Sequence, residues 1–142
     1  MANMRWLSTR IWREPYVQTM DSLKKELFVY LHLNSEITYY GVLVYNSELI
    51  AQETGIPNDS IKQMIQDFED DGQVIVRDNR ICVRGFLKRT RSEDSSVSPQ
   101  TQAAFRRDRF FLNQDIVEVV EGEIQEAESE MKPSTERRGR RR

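Results

Sequence analysis

A chain of 142 residues, 31% charged and 38% hydrophobic, has room for one domain with a modest core and a polar arm. Its 21 Lys and Arg against 23 Asp and Glu give a net charge of −2, which excludes a whole-molecule basic surface for a polyanion and leaves nucleic-acid contact to local clusters. One cysteine and one histidine exclude an intrachain disulfide and a common zinc site, and no apolar run approaches a membrane span, so the expectation is a cytoplasmic protein in a reducing setting, with no metal, no cofactor and no membrane.

Arg5, Arg10 and Arg13 near the start are followed by no continuous apolar run, so the segment does not read as a signal peptide. Residues 6–12 read as a short strand, and Glu14 with Pro15 as a break. Asp21 is a good N-cap for a helix from Ser22 to Leu33, in which Leu23, Leu27, Tyr30 and Leu31 share a face and which Asn34 ends. Residues 41–45 form a short apolar strand. Asn46 caps a second helix running to Thr54, Gly55, Ile56 and Pro57 turn the chain, and Asn58 caps a third helix. Ile61, Met64, Ile65 and Phe68 make the apolar stripe of that third helix, and Gly72 stops it. Strands at 73–77 and 80–83 are joined by Asp78 and Asn79, which tolerate positive φ and predict a tight hairpin, and a short helix at 85–89 closes the segment. This order predicts an α+β fold, a winged helix-turn-helix domain over residues 1–89.

A helix-turn-helix needs a small residue where its helices cross, a positive-φ residue in the turn, and a branched apolar residue facing back. Ala51, Gly55 and Ile61 stand at that spacing, with Ile50, Ile56 and Met64 completing the core. An ordinary helical hairpin satisfies the same spacing. The third helix points Asn58, Ser60, Lys62, Gln63 and Gln66 outward; amide and ammonium groups read base edges and a hydroxyl reaches phosphate. Its carboxylates Asp59, Asp67, Glu69, Asp70 and Asp71 oppose a duplex backbone. Basic residues cluster at the hairpin instead, with Arg77 and Arg80 flanking its turn and Arg84, Lys88, Arg89 and Arg91 following. The tip fits a phosphate or minor-groove contact, and equally a solvated hairpin or a protein-binding surface.

Residues 90–104 are rich in Ser and charge and read as a flexible linker. Within 105–131, Arg106, Arg107 and Arg109 alternate with Phe105, Phe110 and Phe111, a mixture that suits a nucleic-acid backbone and its bases. Asn113 caps a helix from Gln114, with Asp115 and Glu118 in its first turn. Along it Leu112, Ile116, Val120 and Ile124 recur every four residues with Val119 beside them, an amphipathic stripe for the chain's own domain or a partner's groove; the alternative is a marginal helix in a disordered arm. Residues 132–142 read as a basic disordered tail whose Arg137, Arg138, Arg140, Arg141 and Arg142 neutralise phosphates without reading sequence. The acidic stretch before it is placed to fold back on that tail and weaken such binding.

Four blocks carry a resemblance: Arg5-Trp6-Leu7-Ser8-Thr9-Arg10-Ile11-Trp12-Arg13-Glu14-Pro15-Tyr16, Leu27-Phe28-Val29-Tyr30-Leu31-His32-Leu33-Asn34, Ile50-Ala51-Gln52-Glu53-Thr54-Gly55-Ile56, and Val83-Arg84-Gly85-Phe86-Leu87-Lys88-Arg89. In that order they resemble the N-terminal winged-helix domain of phage replisome organisers and the related bacterial DnaD replication-initiation proteins. The resemblance implies DNA as a partner, a role in starting replication by recruiting or loading a replicative helicase or its loader, and a bacterial-host cytoplasm with a phage gene as one source. It also implies self-association through the N-terminal strand, with Trp6, Leu7, Ile11 and Trp12 as its residues. No Gly-rich phosphate loop, paired acid and base or nucleophile motif is present; His32 and Cys82 read as packing residues, so the expectation is a non-catalytic protein. A protein–protein adaptor and a transcriptional regulator are the alternatives.

Overall fold

The computed structural model describes residues 4–91 and 95–140, with side chains through Glu130. A 3₁₀ turn Thr9–Arg13 leads into α1 (Pro15–Gln18), followed by α2 (Ser22–Leu33), β1 (Val42–Val44), α3 (Ser47–Thr54), α4 (Asn58–Asp70), β2 (Val74–Arg77), β3 (Arg80–Val83) and α5 (Phe86–Arg89). Helices α6 (Pro99–Asp108) and α7 (Gln114–Arg140) complete the chain, joined by a second 3₁₀ turn, Arg109–Phe111.

The local signals act as expected from α2 to α5. The Asp21 carboxylate accepts from the Lys24 amide at 2.9 Å and the Asn46 carbonyl oxygen from the Leu49 amide at 3.1 Å, so both helices start at their caps. Gly55 at φ +78° turns α3 into α4, and Asp78 and Asn79 at φ +51° and +60° close the β2–β3 hairpin. At α4 the cap position is taken by Pro57, so Asn58 lies in the first helical turn and caps nothing.

The strands form one antiparallel sheet in the order β1–β3–β2. Val42 stands opposite Cys82 and Cys82 opposite Ile75; Leu43 stands opposite Ile81 and Ile81 opposite Val76. The two-residue period of a strand therefore sends Leu43, Ile81, Val74 and Val83 to one face and Val42, Cys82 and Ile75 to the other. The first face meets the main core, built from Leu27, Phe28 and Leu31 of α2, Ile50 of α3, the stripe of α4 and Phe86. The second meets Ala104 and Phe105 of α6 and Ile116, Val117 and Val120 of α7. A sheet covered on both sides accounts for the unbroken apolar run Ile81, Cys82, Val83. Phe105, Ile116, Val117 and Val120 are almost fully buried, which gives on the order of 10 kcal/mol of gross burial energy before ordering entropy.

Four expectations are corrected. Residues 6–12 are not a strand: the Ser8 hydroxyl accepts from the Arg10 amide at 3.2 Å and starts the 3₁₀ turn. On the sheet edges, Val42 of β1 exchanges hydrogen bonds with Thr38 at 3.0 Å, and the Val76 amide of β2 is taken by Glu69 at 2.9 Å. Pro15 begins α1 rather than breaking the chain, since the first helical position needs no N–H. The linker 90–104 ends early, because the Ser98 hydroxyl accepts from the Thr101 amide at 3.1 Å and Pro99 fills the first position of α6. The backbone of α7 runs on to Arg140 where a disordered tail 132–142 was expected; the side chains of Arg137, Arg138 and Arg140, and all of Arg141 and Arg142, lie outside the described residues. Among the described residues, no helix is long and apolar enough to cross a membrane.

Candidate nucleic-acid interface

Helix α4 divides lengthwise. Ile61, Met64, Ile65 and Phe68 are buried, while Lys62, Gln63 and Gln66 face solvent and Asn58 and Ser60 are half-buried. Each glutamine is tied back to a carboxylate one turn on: Gln63 Nε2 donates to Asp67 at 3.0 Å and Gln66 Nε2 to Asp70 at 2.9 Å. Asn58 Oδ1 is buried without a hydrogen-bond partner. Lys62 has no ion pair among the described residues. The N-terminal half of α4 is thus its open end, with amide groups unpaired by the helix itself.

The acidic half is occupied. Asp67 pairs with Lys24 Nζ of α2 at 3.1 Å, Asp71 accepts the Tyr16 hydroxyl at 2.7 Å, and Glu69 takes the Val76 amide and Arg77 Nη1 at 3.2 Å. Hydrogen bonds from Gln63 and Lys24 hold the Asp67 carboxyl below its ordinary range, and burial with the Asp71 contact pushes the Tyr16 hydroxyl up. These carboxylates fasten α4 to α1, α2 and β2, a role that their sequence position as a charge run hides.

The hairpin arginines separate in the same way. Arg77 is held on both sides, by Glu69 and by Asp115 of α7, the latter at 2.9 Å, so it is a clamp rather than a free phosphate contact. The hairpin tip is tethered as well, with Asn113 Nδ2 donating to Asp78 at 3.3 Å. Arg80, half-buried across the register from Val44, has no ion pair among the described residues. Arg84 is exposed beside a groove whose α7 side carries Glu118, Glu123 and Glu126. Burial there raises the Glu123 carboxyl above its ordinary range although the Gly85 amide donates to it at 3.1 Å.

Arg89 is structural. Its guanidinium grips Glu14 through Nε and Nη2, both at 2.9 Å, donates from Nη1 to the Arg84 carbonyl at 2.8 Å, and lies 5.0 Å over the Phe28 ring. Behind it, His32 is buried with Nδ1 2.8 Å from the Phe28 carbonyl and Nε2 3.4 Å from Arg89 Nη1. Burial pushes its imidazole down to about 4, so it is neutral, donates from Nδ1 and presents Nε2 to the arginine. Lys88 stays exposed at the rim of a cleft of about 400 Å³ that Trp6, Ser8 and Arg91 also line.

The expected oligomerisation residues split. Trp6 and Trp12 are each 53% exposed, whereas Ile11 is buried and Leu7 packs against the main core, which corrects the placement of Leu7 and Ile11 on a free strand. The expected partner-binding stripe is docked on the chain's own sheet: Ile116 and Val120 are buried, and Leu112, Val119 and Ile124 are partly covered. Val117, which four-residue spacing skipped, is buried with them. In the aromatic and basic segment, Phe105 is a core residue, while Phe110 and Phe111 are 84% and 77% exposed. Sequence reasoning also missed the bond from the Tyr40 hydroxyl to Asp108 at 2.8 Å, which fixes α6 beneath the sheet. Among the described residues, no three His, Cys, Asp or Glu are grouped to hold a metal ion. Comparison with known family models, with characterised proteins and with solved structures finds no match to this chain.

Proposed function

We propose that residues 4–89 act as a winged helix that docks the N-terminal half of α4 on duplex DNA, and that the chain is a non-catalytic accessory protein of DNA replication. The observation that carries this reading is the division of α4: Asp67, Glu69 and Asp71 at its C-terminal end are engaged in the protein's own bonds, while Lys62 is exposed near the first-turn amides that the helix leaves unpaired, with Asp59 as the exposed carboxylate of that half. In the docked geometry, Ser60 and the amide groups meet phosphate, Lys62 and Gln63 reach base edges, and Arg80 at the hairpin adds a phosphate contact. The replication role, the second copy joined through Trp6 and Trp12, and the helicase or loader partner rest on the resemblance of the four sequence blocks.

One observation favours an adaptor instead: Arg77, the natural phosphate contact of a wing, is already held between Glu69 and Asp115. Binding to labelled duplex DNA, read by fluorescence anisotropy across a salt series, separates the two. The winged-helix reading expects Lys62→Ala to weaken binding several-fold and to reduce the salt slope by about 1. Duplex binding unchanged in that variant, or absent in the native chain, would transfer the proposal to the adaptor.

A further inference from the structure

We infer that the corner between α6 and α7 is a second nucleic-acid site, one that takes unpaired bases of a single strand on Phe110 and Phe111. Both rings stand out from the 3₁₀ turn Arg109–Phe111, at 84% and 77% exposure. The turn is fixed at each end. Ala104 and Phe105 are buried under the sheet before it, Leu112 is partly covered after it, and Ile116 is fully buried one turn into α7. The two rings are therefore held outward by anchored neighbours, in a segment where adjacent apolar side chains found the core.

The charge around them selects the ligand. Residues 105–112 carry three arginines against one carboxylate, Asp108. That carboxylate is taken up by Arg107 Nε at 2.9 Å and the Tyr40 hydroxyl at 2.8 Å. Arg109 pairs with Glu121. Arg106 is exposed without an ion pair among the described residues, and the Arg107 side chain keeps 74% of its surface in solvent. Two flat apolar faces beside the unpaired Arg106 guanidinium and the exposed side chain of Arg107 match the alternation of base and phosphate in a single strand, and stacking accepts any base because every base has a π face. A duplex keeps its bases stacked inside and offers no such face to a convex corner. A second copy of the chain would bring these arginines against their own kind.

This site lies outside the duplex contact proposed for α4, and the test reads both. The full chain is titrated into labelled oligothymidylate and oligouridylate of about 20 nucleotides, and into a duplex of the same length, with sedimentation of the free protein alongside. Phe110→Ala with Phe111→Ala is expected to weaken single-strand binding about a hundredfold, roughly tenfold per ring, while duplex binding and the melting temperature hold, since neither ring is part of the core. Arg106→Gln should weaken single-strand binding and reduce its salt slope by about 0.7. Preference for one of the two strands, which differ in the sugar and in the thymine methyl, upholds the site. Three results overturn it: no binding of either single strand by the native chain, equal binding by the double variant, or a loss of binding that accompanies a fall in sedimenting mass, which would assign the rings to contact between copies.

Discussion

Truncating Ile116 to alanine tests whether α7 belongs to the same cooperative unit as the N-terminal helices. The side chain is fully buried where α7 crosses the second face of the sheet, near Val42 and Cys82, so its removal leaves a cavity in a two-sided core. Such truncations cost about 2–5 kcal/mol; with a urea slope of about 1.5 kcal/mol/M, a loss of about 3 kcal/mol moves the midpoint down by about 2 M. The chain supplies two separate probes. Far-ultraviolet circular dichroism is dominated by the helices, α7 above all, while both tryptophans, Trp6 just before the N-terminal 3₁₀ turn and Trp12 within it, report on the start of the chain. If the sheet transmits the loss, both probes shift together by the same amount. A dichroism transition that moves while the fluorescence midpoint stays within about 0.3 M of the native one would refute the reasoning, because α7 would then be an appendage on an independently stable domain.

Gly41 has φ +92°, and a Cβ there would sit 2.7 Å from Cβ and Cγ of the buried Phe86, so Gly41→Ala should cost about 2–5 kcal/mol from backbone strain and overpacking. Gly55→Ala, at φ +78° with open space around it, is the control and should cost only about 1 kcal/mol in the same thermal melts; equal losses would remove Phe86 from the account. His32 gives a pH signature. Its imidazole titrates near 4 when folded against an ordinary 6.5, so the stability it contributes is present above pH 6.5 and is lost as pH falls through 4. That loss is about 3 kcal/mol, and urea midpoints for His32→Gln should be flatter than native between pH 6.5 and 4.

Local chemistry was legible in the sequence and distant pairing was not. Asp21 and Asn46 cap their helices, Asp78 and Asn79 turn the hairpin, and the stripe of α4 is buried as spaced, because each signal acts within about a turn of itself. Residues 6–12 misled because whether a segment becomes a strand depends on a partner strand distant in sequence, whereas the Ser8 hydroxyl caps a local 3₁₀ turn. Helix α6 was hidden by a polar composition, although Ser98 and Pro99 carried a start signal. The roles of Arg77 and Arg89 depend on Asp115, 38 residues away, and Glu14, 75 residues away; a sequence shows that an arginine is charged and is silent on which carboxylate will hold it. Phe105 and Phe110 read alike because composition carries no helical phase.

The middle position of the sheet gives the chain a built-in reporter. The Cys82 thiol, the only one in the sequence, points from β3 into the seam beneath α6 and α7, is 1% exposed, and is pushed up to about 12 by burial. An alkylating reagent can reach it only in molecules whose C-terminal helices have lifted off, and only after the thiol has regained an ordinary acidity in water. The rate of labelling, divided by the rate for an unhindered thiol, therefore counts the fraction of time the seam stands open, with no residue changed and no dye attached.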